Sequence, residues 1–268
     1  MDVISLTAFD LSLAALLLLL LAGCSLRIGL GLEKRIIVSG VRMTVQLLLV
    51  GMVLKFLFAR ASLPFVVAMS LFMLLVAGYE VWARQKRKLR GATGYLISSV
   101  SMLISSFTVA LLALTVMVGV DPWYTPQYAI PLLGMLLGNT MNGVALSSDR
   151  LTTDMYNQRG VVEQRLLLGQ DWREASGDIR RDCMRTGMIP IINSMAAAGV
   201  VSLPGMMTGQ ILGGSTPLDA VKYQILILLL IAAGTGFGVM AAIWLISRRL
   251  FDERQRLVLD SLSEVRGR

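Results

Sequence analysis

The chain has 268 residues, of which 55% are hydrophobic and only 16% charged, against about 25% charged in ordinary soluble domains, and its mean hydropathy is +0.70. Such a chain cannot give a soluble surface its polar cover, so a nucleic-acid binder or soluble enzyme is excluded and a membrane protein indicated. The net charge is +8, histidine is absent, and Cys24 and Cys183 lie far apart, which excludes a disulfide framework and any catalytic pair built on histidine.

Apolar windows of about 20 residues, the length that crosses a hydrocarbon core, predict seven membrane-spanning helices in one permease domain over 1–268. The first covers about 8–28 and contains LLLLLLAGCS at 16–25, which reads like a lipoprotein signal. Such a signal needs basic residues ahead of its apolar run. Here Asp2 and Asp10 precede the run and Arg27, Lys34 and Arg35 follow it, so Cys24 is read as a small packed residue near an inner helix end. The second span, about 36–57, carries Arg42 and Gln46 four residues apart on one helix face. A charge inside the membrane faces a cavity or snorkels to the headgroups, and both readings of Arg42 stand. The third, fourth and fifth spans fall at about 63–82, 95–118 and 126–147. Asn139, Asn142 and, further on, Asn193 are polar groups in apolar stretches, suited to lining a path or joining helices.

Residues 149–186 form the longest stretch outside the spans and hold seven arginines and seven acids. Within them lies VVEQRLLLGQDWREASGDIRRDCMRTGMIP, with apolar residues at roughly helical spacing. It predicts a helix–turn–helix that docks a partner, with Gly169 ending its first helix. An amphipathic helix lying on lipid is the alternative.

The sixth span, about 188–213, belongs to a run without charge from Thr186 to Leu218. One helix of that length would be about 50 Å long, more than the core needs, and Pro204-Gly205 offers a break. Ser202, Pro204, Gly205, Met206 and Met207 are therefore expected to form a hinge or pathway element, in the manner of broken transporter helices; a static kink is the alternative. Gly205, Gly209 and Gly213 recur every fourth residue and predict close helix contact, within the bundle or across a dimer. The seventh span covers about 223–247, with Lys222 at its outer end, which sets aside a retinal-binding lysine. Basic residues fill alternate loops; the four exceptions are Arg42, Lys55, Arg60 and Lys222. The positive-inside rule then puts the N-terminus outside and the C-terminus in the cytoplasm.

No phosphate-binding Gly-x-x-x-x-Gly-Lys is present, and no acid, cysteine and histidine cluster has metal-ligand spacing, so metal ligands stay unassigned. The many methionines suit soft ions or irregular packing. Two resemblances add to this reading. Glu163 and Gly169, with leucines between, resemble the coupling loop of ABC transporter permeases, whose Glu-Ala-Ala…Gly segment enters a cleft on the ATPase; this chain has Gln-Arg in place of Ala-Ala. VVSLPGMMTGQILGG at 200–214 with STPLDAVKYQI, GMLLGNTMNGVAL at 134–146, VRMTVQLLLVGMVLKFLF at 41–58 and LEK at 32–34 resemble the Fet-type iron-export permeases, a family that includes plant aluminium-tolerance membrane subunits. The resemblance implies an inner-membrane permease of bacteria working as a homodimer with two copies of a cytoplasmic ABC ATPase. It implies that ATP and magnesium sit on that partner, that this chain binds no cofactor itself, and that Glu163, Leu167, Leu168, Gly169 and Trp172 engage the ATPase. An exporter of an organic solute, chelate or lipid is the second reading, and a membrane sensor or scaffold without a motor the third.

Overall fold

The computed structural model describes residues 7–263 apart from residue 61 and the Arg60 side chain; Asp2, Arg266 and Arg268 lie outside the described residues. These residues are all-helical, with isolated bridges in place of strands. By packing, the chain divides into two compact units, one of residues 1–61 with 212–214, the other of 62–211 with 215–268.

The first unit is a helical hairpin. α1 (Ala8–Ile28) starts in a capping box, in which Asp10 accepts from the Thr7 backbone N–H and Thr7 accepts from the Asp10 N–H. It ends at Gly29, left-handed at φ 73°, and a short turn leads to α2 (Glu33–Arg60). The helices approach where Gly40 faces Leu18; a Cβ on Gly40 would lie 2.5 Å from Leu18 Cδ2. Little of this hairpin is buried, and its exposed leucines and valines form an outer apolar coat.

The second unit is built on two long helices. α6 (Pro126–Asn157) and α11 (Pro217–Leu250) have 32 and 34 residues, about 50 Å each. Each starts with proline at its first position, where the missing N–H costs nothing. Leu136, Val144, Leu151 and Met155 of α6 and Val239, Ile243 and Leu250 of α11 are fully buried. Around this pair stand α3 (Leu63–Arg84), α4 (Thr93–Met102) continued by α5 (Thr108–Leu112), and α9 (Gly177–Ala197). π-helical turns at Leu103–Phe107 and Ala113–Met117 interrupt the α4–α5 helix. Lipid offers no hydrophobic drive between helices, so close packing through small residues holds them together. Gly143 and Gly187 provide it between α6 and α9: a Cβ on either would lie 2.8 Å from the other's carbonyl oxygen.

Six helices among the described residues are long and apolar enough to span a membrane, and the chain is a multi-pass membrane protein. Five of the seven expected spans are single helices, and the fourth is one helix over Thr93–Met117 with its π turns. The expected span at 188–213 is not one helix. α9 starts eleven residues earlier, in the charged stretch, and stops at Ala197; after a turn α10 (Gly205–Leu212) begins. In the turn Gly199 is left-handed at φ 83°, and its N–H reaches the Ser202 carbonyl at 2.9 Å. Pro204, lacking an N–H, cannot continue the α9 ladder. Gly205 and Gly209 have nothing within 4 Å of a built Cβ within the chain, so of the two contacts expected of them the one inside the bundle is not made, and close contact inside the bundle is found at Gly143 and Gly187. α6 and α11 outrun their expected bounds and are longer than a hydrocarbon core requires.

Candidate coupling surface

At one end of the second unit, α6 passes into α7 (Arg159–Leu167), the short α8 (Trp172–Ala175) and α9. α7 is stopped by leucine and glycine together. Leu168 is the cap, and Gly169 takes the left-handed conformation at φ 90°. The Gly169 N–H bonds the Leu166 carbonyl at 3.0 Å and the Gln170 N–H that of Arg165 at 3.2 Å, the paired bonds of a Schellman motif. The chain thereby turns sharply and leaves Leu167 87% and Leu168 83% exposed. Asp171 then caps α8, accepting from the Glu174 N–H at 2.7 Å.

The exposed tip stands on a braced base. The Arg165 guanidinium donates to the Ala175 carbonyl at 3.2 Å and pairs with Asp178 at 3.1 Å; Arg181 also bonds Asp178. These guanidinium bonds, Arg165 first, hold the Asp178 carboxyl below its ordinary range. Val162, Ala175, Ile179 and Cys183 are buried beneath, and burial pushes the Cys183 thiol up to about 12.

Trp172 points into this base. Its ring lies 5.9 Å from that of Phe251, with Arg180 and Arg173 at 5.2 and 5.4 Å. Its backbone N–H donates to Gln255 Oε1 at 3.2 Å. Phe251 and Gln255 belong to residues 251–263, which follow α11 and which the sequence did not single out. Phe251 pairs with Leu257, and Asp252 accepts from the Arg256 backbone N–H and its Nε, both at 2.8 Å. Further on Leu262, buried, pairs with buried Leu89 of the α3–α4 loop; Arg90 donates to the Ser261 carbonyl and Ser263 to that of Lys88, each at 2.7 Å. The tail thus straps the α7–α9 base to the loop after α3. That loop is also fixed to α6, through Lys86 N–H to Asp149 at 2.6 Å and Arg87 stacked 3.5 Å over Tyr156. Beside the leucine tip, Glu163, Leu166, Leu167, Gly169 and Gln170 on one side and residues 253–257 on the other line an open groove of about 790 Å³.

The residues expected along a pathway are dispersed. Arg42 and Gln46 lie on exposed positions of α2. On α6, Asn139 donates to the Met135 carbonyl at 2.8 Å and Asn142 accepts from Arg84 at 2.8 Å; Arg84 was not foreseen. Asn193 is exposed on α9, and Ser202, Pro204, Gly205, Met206 and Met207 share the turn and first residues of α10. Among the described residues no three histidines, cysteines or acids gather where a metal ion could be held.

Comparison with known proteins places this architecture. Residues 8–251 match the model of the uncharacterised protein family UPF0014. The chain is 31% identical over 261 residues to the probable iron export permease protein FetB of Escherichia coli, covering 97% of this chain and 98% of that one. It is 36% identical over 225 residues to the protein ALUMINUM SENSITIVE 3 of Arabidopsis thaliana, covering 83% and 80%. A UPF0014 membrane protein of Synechocystis is 35% identical over 232 residues, covering 86% and 88%. No solved structure matches the chain. The resemblance to Fet-type permeases and plant aluminium-tolerance subunits is therefore shown across nearly the full chain, which belongs to the UPF0014 family of membrane proteins.

Proposed function

We propose that the chain is the membrane-spanning subunit of an ABC exporter, driven by a separate ATPase and moving iron out of the cytoplasm. The observation that carries this reading is the Leu167–Leu168 tip: two leucines more than four-fifths exposed, on a turn locked by Gly169 and braced by Arg165. Two adjacent leucines held exposed on a braced turn among charged residues suit a contact with another protein. Their place beside an open groove suits insertion into a cleft on an ATPase. The cargo follows from the name of the Escherichia coli relative.

In this reading the loops bearing the basic residues face the cytoplasm of a bacterium, the N-terminus lies outside, and α9 with α10 cross the inner membrane as two pieces of one broken span. Two copies of the chain pair, each with one ATPase, and ATP with magnesium binds the ATPases alone. Closure of the ATPase pair pushes α7. The push passes through Arg165–Asp178 to α9 and through Trp172–Phe251 to α11, and the Ala198–Pro204 turn lets α10 move against α9. Arg42 suits an anionic chelate if it lines a path and says nothing of the cargo if it snorkels to the headgroups, and a ligand screen of ATPase stimulation separates a chelate from the bare cation.

The decisive experiment is co-expression with the ATPase, reconstitution into liposomes and measurement of ATP-driven iron flux. Flux that needs both subunits supports the assignment. A complex that hydrolyses ATP but moves no iron discards the cargo. Glu163→Lys or Gly169→Asp is expected to abolish co-purification of the ATPase, and normal co-purification of the double variant would sink the coupling role.

A further inference from the structure

Most hydroxyls in these helices satisfy themselves. Ser98, Ser101, Ser105, Thr115, Thr152 and Thr186, among others, donate to a carbonyl one turn back at 2.7–3.2 Å. Three in the middle of the second unit do not. Ser106 and Thr140 are completely buried and Thr235 is 2% exposed, yet their oxygens have no hydrogen-bond partner among the described residues. The ordinary back-bond is open to a threonine in any helix, so leaving it unmade in an apolar interior is costly.

These residues sit around one junction. A Cβ on Gly238 of α11 would lie 2.6 Å from Thr140 Cγ2 and 2.9 Å from Ser105 Oγ, and one on Gly234 3.5 Å from Thr140 Oγ1. Thr235 occupies the same turns of α11 and faces Gly143 of α6. Ser105 and Ser106 belong to the π-helical turn Leu103–Phe107, a distortion that in helices frequently marks a functional position. Two more buried, unpartnered hydroxyls, Ser148 and Ser247, lie about two and three turns further along α6 and α11, toward the coupling surface. Thr140 and Ser148 thus belong to α6, Thr235 and Ser247 to α11, and Ser106 to the π turn beside them.

We propose that Ser106, Thr140 and Thr235 form a transit site for a partly hydrated divalent cation; this rests on the reading of the chain as an iron exporter. Neutral oxygens suit the task. Hard divalent ions take oxygen ligands, and a site without a carboxylate holds them loosely enough to release them onward. Retained hydroxyls that weaken the fold are what a stability–function trade-off produces.

The test uses the full chain, purified in detergent, with manganese chloride as probe up to about 10 mM, since a ligand that binds the folded state raises its melting temperature. Thr140→Val and Thr235→Val keep the shape and delete an unpaired hydroxyl, so each variant is expected to melt about 2–4 °C higher without the ion. The wild type is expected to gain stability with manganese, Thr140→Ser to keep that gain, and the double valine variant to lose it. A double variant that responds like the wild type overturns the proposal, as does a wild type with no response. Co-purification of the ATPase is followed in parallel. A manganese response without ATPase association would retire the exporter reading and leave the site; association without the response would do the reverse.

Discussion

Single residues here answer to pH, to thiol reagents and to added bulk. Asp178 is held below its ordinary range by Arg165 and Arg181. A depressed carboxyl contributes stability above its unfolded value, about 3.9, and loses it as pH falls through the folded value. Protection factors of the α7 amides, corrected for the intrinsic pH dependence of exchange, should therefore be unchanged from pH 8 to 5 and fall below about 4, and Asp178→Asn should flatten that dependence by removing the titrating group. Cys183 is buried with its thiol pushed up to about 12, so almost none of it is thiolate at neutral pH. A membrane-permeant maleimide should leave Cys183 unlabelled in the folded chain and label it in detergent-denatured chain; fast native labelling would show that the α7–α9 base opens. At Gly187, alanine should destabilise by about 1–3 kcal/mol because its methyl meets the Gly143 carbonyl and Ser147. Gly209→Ala meets nothing and adds helix propensity to α10, so its melting temperature should not fall, which makes it the control.

At the scale of elements, the leucine and valine runs made the membrane helices legible, since length and apolarity alone define a span. Pro204 made the break in the uncharged run 186–218 legible too, though its form depends on Ser202 folding back on Ala197 and Gly199 on Ser202. What could not be read was the tail. Leu89 and Leu262 are far apart in sequence, and the turn before them places Gln255, not glycine, at positive φ; neither leaves a periodic signal. The FDERQR run advertises only surface charge. Trp172 shows the same limit: its aromatic character suggested a docking face, and its partner, Phe251, comes from another element. Trp172→Ala should cost about 3–5 kcal/mol as a buried aromatic truncation and free the tail, so that trypsin cuts at Arg254 and Arg256 sooner than in the wild type. Unchanged cleavage would mean the tail is held without Trp172.

The second unit joins two different kinds of surface: much of its helical face is apolar, and the end that carries α7, α8 and the tail is charged and tied together by side chains from several elements. Periodicity locates apolar faces but cannot tell a partnered hydroxyl from an unpartnered one, so Thr140 and Thr235 passed unnoticed among ordinary helix residues while the asparagines beside them drew attention. Their status depends on rotamer and neighbour, which only three-dimensional packing fixes.

The strap from Phe251 to Ser263 also sets an order in time. A ribosome makes every membrane helix of this chain before it makes Phe251, Gln255 and Leu262. Until they arrive, Trp172 has no ring against it and Leu89 no partner. The groove beside Leu167 lacks the wall formed by residues 253–257. A nascent chain can therefore be fully inserted and still present an unfinished face, and a chain broken off after Leu250 never finishes it. Assembly with a partner at this face would then double as proofreading of synthesis, because that wall of the groove is translated only after the helices it completes.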